Sequence, residues 1–129
     1  MVYILLNLLP IALATLVGLA IGYLWYGVVG RGRIGAGTAV LAAAGEFWLA
    51  AILAGALILA PPKADPWVMA IGSAVVIWAG FVLPTLAISL ARRRVGAAGA
   101  AGDALHWLVV MGAQAVLMKS YGLVPPPGA

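Results

Sequence analysis

Four long apolar runs alternate along the chain with short polar, Pro-rich or Gly-rich breaks. They cover about residues 2–29, 38–60, 66–91 and 104–121. A bilayer crossing takes roughly 20 mostly apolar residues rising about 1.5 Å each, so each run is long enough to be one membrane span. Pro10 interrupts the first run, Pro61-Pro62 stop the second, and Pro125-Pro126-Pro127 follow the last. Asp65 is placed to cap the third helix, with Pro66 at its first position. Asp103 is expected to cap the fourth, after a Gly/Ala-rich connector. The pattern predicts an all-α fold in a single domain over residues 1–129. That domain is an integral membrane four-helix bundle of two antiparallel helical hairpins.

Composition agrees with lipid as the solvent. Of 129 residues 66% are apolar and 8% charged, where a soluble domain carries about a quarter charged. The net charge of +4 comes from seven Lys/Arg against three acids. These cations cluster at run ends without the pattern of a nucleic-acid surface, so no nucleic-acid partner is expected. The absence of cysteine removes disulfides, thiolate metal sites and Cys nucleophiles together. The N-terminal run has no basic leader and exceeds a signal-peptide core, so a retained first helix is expected.

Loop charges predict the orientation. Arg31, Arg33, Arg92, Arg93 and Arg94 fall on one side, Lys63 and Lys119 on the other. The positive-inside rule places the arginines in the cytoplasm and both termini outside. Arg92–Arg94 would also attract anionic headgroups at about 1 kcal/mol per charge. The two arginine loops share a short Arg/Gly/Ala echo, expected from composition ahead of a repeat of two parallel-related hairpins. Trp25, Tyr26 and Trp107 are expected at the inner interface, and Tyr3, Trp67 and Tyr121 at the outer one. Trp48 and Trp78 lie deeper and are expected to pack between helices with their indole N–H groups partnered.

Glu46 is the most informative position. It lies about 12 Å along its helix from Thr38, where an ionised carboxylate costs at least about 2.5 kcal/mol. It is therefore expected to face protein, protonated or paired, beside a small-residue face of Ala39, Ala42, Ala43, Ala50 and Ala54 that admits a close helix. His106, expected in the first turn of the fourth span, is its candidate partner. An interhelical hydrogen bond that fixes packing is the simplest role for the pair, and a proton relay or ligand site the alternative. Gly18 and Gly22 have the GxxxG spacing of a helix-packing seam, within the chain or between copies. Pro10 and Pro84 each remove a backbone donor, freeing the carbonyls of Leu6 and Gly80. Asn7, Thr85 and Ser89 stand near enough to help satisfy such groups. A static kink at Pro84 is expected ahead of a hinge. Ser73 and Gln114 are expected to hydrogen-bond between helices. No catalytic motif is present, no cofactor is implied, and one His with one buried carboxylate falls short of a metal site.

The chain resembles a family of small bacterial membrane proteins called domain of unknown function 1761. The resemblance rests on Gly22-Tyr-Leu-Trp25-Tyr26-Gly27, on Trp78-Ala-Gly80-Phe81-Val-Leu-Pro84, on the basic stretch at 92–94, and on a final helix with His106. It touches about half the chain. The aromatic segment that such proteins show after the Trp-Tyr pair is replaced by Arg31–Gly37. The resemblance implies a four-helix protein of the bacterial inner membrane and supplies no activity.

Three functions fit these residues, and none is an enzyme. The first is a packing protein, a homo-oligomer or accessory subunit of a membrane complex. The second is an oligomeric transporter or channel with Glu46 and His106 along a polar or proton path. The third is a binder of lipid or pigment.

Overall fold

The structure, a computed structural model, describes residues 2–28 and 35–128. Arg31 and Arg33 lie outside the described residues. Among the described residues six α-helices and one π-helical turn follow one another: α1 (Val2–Leu6), α2 (Leu8–Val28), α3 (Ala36–Leu59), α4 (Pro66–Ile77), the π turn (Trp78–Val82), α5 (Leu83–Arg92) and α6 (Ala97–Tyr121). No strand occurs among the described residues. The helices Leu8–Gly27, Ala36–Leu59, Pro66–Arg92 and Ala97–Tyr121, spans one to four, are each long and apolar enough to cross a membrane. Helices suit such a solvent because every backbone group inside them is satisfied locally.

The third span starts as its sequence dictates. The Asp65 carboxylate accepts the Trp67 backbone N–H at 2.9 Å, and Pro66 occupies the first turn. The fourth span departs from expectation. It begins at Ala97 with Gly96 as its N-cap, so Asp103 lies inside the helix and His106 in its third turn. Ala97, Ala98, Ala100 and Ala101 explain the difference: alanine is the strongest helix former, and four of them outweigh Gly99 and Gly102. Between spans three and four, Arg94 adopts a left-handed φ of 59°. This lets the Val95 N–H reach back to the Leu90 carbonyl at 2.9 Å, closing the helix end where glycine is usual.

Neither proline interruption leaves a simple kink. Ahead of Pro84 the helix widens into the π turn, and the Leu83 N–H bonds the Trp78 carbonyl five residues back. Thr85 donates its hydroxyl to the Phe81 carbonyl within the same stretch. Ahead of Pro10 the chain breaks between α1 and α2 at Asn7. Its side chain donates to the Tyr3 and Val124 carbonyls at 2.8 Å each and accepts the Val124 N–H at 2.7 Å. Asn7 thus ties the C-terminal tail to the first span.

Span four touches all three others. Its buried residues Val110, Met111, Gln114, Ala115 and Met118 recur at helical spacing. Met111, Ala115 and Met118 pack with Ile11 and Ala14 of span one, with Ala50, Ala51, Leu53 and Ala54 of span two, and with Ala74 of span three. The small residues on span two allow the backbones to approach closely. Of the alanines beside Glu46, Ala50 and Ala54 are buried, Ala42 and Ala43 half-buried, and Ala39 exposed. Span three is peripheral, burying only Ala70, Ala74 and Leu90.

Candidate functional site

Two polar side chains from the fourth span and one from the second converge on the glycine face of the first. Glu46 is 5% exposed, His106 4% and Gln114 0%. The Gly18 position explains how they fit. A Cβ added there would collide with the Glu46 Oε1 atom and come within 2.8 Å of Gln114 Nε2. One turn further along, a Cβ on Gly22 would stand 3.5 Å from His106 Nε2. The GxxxG seam is therefore used within the chain, and it seats polar groups as well as backbone.

These groups are poorly satisfied. Gln114 donates to the Ala14 carbonyl at 3.1 Å, which fulfils its expected interhelical bond. Gln114 Oε1, Glu46 Oε1 and both ring nitrogens of His106 are buried without a hydrogen-bond partner. Glu46 and His106 do not bond one another, so the expected direct contact is replaced by neighbouring seats on span one. An orphaned buried polar atom costs about 1–3 kcal/mol, so these four set the layer apart from the rest of the interior.

Aromatic rings enclose the imidazole. Trp25, Tyr26 and Trp107 lie with ring centroids 5.9, 5.0 and 4.9 Å from that of His106. The Tyr26 hydroxyl donates to Asp103 Oδ1 at 2.7 Å. Asp103, read from sequence as a helix cap, instead supplies a carboxylate one turn from His106 on the same helix. Trp78 closes the neighbourhood from span three, its indole donating to the Ala104 carbonyl at 2.8 Å. The π turn begins at Trp78, so the widening ahead of Pro84 coincides with this contact.

Several expected residues stand elsewhere. Trp48 is 53% exposed on the outside of the bundle rather than packed between helices, because Glu46 and Ala50 take the inward face of that helix. Ser73 bonds the Met69 carbonyl of its own helix, as a short hydroxyl in a helix readily does. Tyr3, expected at an interface, donates to the Ala51 carbonyl of span two at 2.9 Å. Pro84 and Arg92–Arg94 are exposed. Among the described residues no three of His, Cys, Asp or Glu group to hold a metal ion. The sequence alone does not bring Tyr26 and Asp103 beside His106; the three-residue step from Asp103 to His106 is the available signal.

No family model matches the chain, and no curated protein or solved structure matches it either.

Proposed function

We propose that the chain is a multi-pass membrane protein whose bundle relays protons through His106 and Glu46. The observation that carries this reading is the set of buried, unpartnered polar atoms on the Gly18–Gly22 face. Polar residues that serve as packing glue bond across helices, and of Glu46, His106 and Gln114 only Gln114 does so among the described residues. The cluster leaves no room for even a methyl group at Gly18, whereas a proton needs no cavity. Tyr26 and Asp103 lead to the imidazole from one end of the bundle. Glu46 and Gln114 continue it about 6 Å further, one helical turn along span one, a step that one bridging water can span. In this reading the helices form two antiparallel hairpins in the bacterial inner membrane, with the arginine loops cytoplasmic and both termini outside. The resemblance to the domain of unknown function 1761 family fits that placement.

The test is proton flux into vesicles that hold the purified protein and a pH-sensitive dye, driven by a potassium diffusion potential. Wild type is expected to exceed empty vesicles, Glu46→Gln to fall to their level, and His106→Ala to slow the flux severalfold. Wild-type flux equal to empty vesicles would contradict the proposal.

A second reading, assembly into an oligomer or with another membrane subunit, is favoured by span three. Val68, Ile71, Val75, Val76 and Phe81 are all exposed on it. Since the chain has no cysteine, Val76→Cys gives a clean probe. Disulfide-linked dimers in native membranes support a homo-oligomer, and exclusively monomeric protein counts against it.

A further inference from the structure

Away from the polar cluster, the end of the bundle that holds Asn7 and Val124 carries a cleft of about 390 Å³. That falls within the roughly 300–1,000 Å³ usual for small-molecule sites. Its walls are mostly apolar, with Leu57, Met69, Met118 and Leu123 among them, and Lys119 is its one charged lining residue. Lys119 lies in the last turn of α6 and is half-buried. Its ammonium stands 5.5 Å from the centroid of the Trp67 ring. Among the described residues no carboxylate pairs with it. The wall made by Leu123 and Pro125 is held in place by the two hydrogen bonds between Asn7 and Val124.

An apolar trough with one uncompensated cation on its wall suits one kind of molecule. We infer that this cleft binds an anionic amphiphile, an acyl chain ending in a carboxylate or phosphate. The head pairs with Lys119, held in place over Trp67 by cation–π attraction. The chain lies between Leu57, Met69 and Leu123, where the flexible thioether of Met69 adapts to an irregular tail. The site shares no residue with the proton relay and stands or falls separately from it.

Photolabelling of the full chain in phosphatidylcholine nanodiscs tests the site. A diazirine-bearing palmitate is expected to label residues 57–70 and 118–125 in a saturable manner, displaced by unlabelled palmitate. Lys119→Gln should weaken that labelling about tenfold, the worth of one charge-assisted contact, while Lys119→Arg retains it. Asn7→Ala should weaken it through the loosened tail, and Glu46→Gln should leave it unchanged. The matching diazirine alcohol should label the cleft weakly and equally in wild type and Lys119→Gln. A diazirine-bearing phosphatidylglycerol separates the sources: stronger labelling by it than by palmitate assigns the cleft to a bilayer phospholipid, and the reverse to a free fatty acid. Labelling spread evenly over all lipid-facing helices, or equal for acid and alcohol, overturns the inference.

Discussion

Gly18 is the residue on which the polar cluster turns. Its missing side chain is the space that the Glu46 carboxyl and Gln114 amide occupy. Gly18→Ala is expected to destabilise the bundle by about 1–3 kcal/mol, the usual cost of overpacking a tight site. Unfolding in mixed detergent measures this, and Glu46→Ala in the same chain should recover most of the loss by removing the colliding group. Gly22→Ala is a contrast, because 3.5 Å to His106 Nε2 is ordinary contact. It should be neutral or stabilising by up to about 1 kcal/mol, the helix preference of alanine over glycine. Glu46, His106 and the two glycines can each be picked out from the chain alone, since charge is rare in an apolar run and the glycine spacing is regular. Their convergence cannot be read that way. It depends on the rotation and axial register of three helices, which the pattern of a uniformly apolar span does not encode. Trp48 shows the same limit: an aromatic ring in a lipid-solvated helix is equally at home facing inward or outward.

At the level of elements, the boundaries written in strong signals are the ones the sequence predicts well. Pro61-Pro62 and Asp65-Pro66 mark the end of span two and the start of span three because they remove donors and supply a cap. The start of span four carries no such mark, and its alanines read as a connector until they are seen coiled. The π turn is also hidden, since Pro84 announces a lost donor and not how the helix absorbs it. Two element-level outcomes follow. Asn7→Ala removes both contacts with Val124 and should cost about 1 kcal/mol per bond. The Val124 amide should then exchange with deuterium much faster than in wild type, and unchanged protection would mean the tail is held by something else. Arg94→Gly relieves a left-handed φ of 59° and should raise stability by up to about 1 kcal/mol, read from the detergent unfolding midpoint.

On the scale of the whole molecule, two kinds of surface divide the work. Among the described residues the bundle interior is mostly small apolar residues, interrupted by a polar layer around Gly18, Gly22 and His106 and, further along, by Thr15 and Asn7. The exterior is apolar nearly throughout, as lipid contact permits. In such a solvent a polar atom without a partner is expensive, so the layer is the costly part of the interior that the proposed proton relay would use. The direct test is infrared difference spectroscopy on the reconstituted protein while the outside of the vesicles is acidified. The account predicts a carboxyl band that responds to the acid, is missing in Glu46→Gln, and responds more slowly in His106→Ala. A Glu46 band indifferent to pH from either side would contradict it.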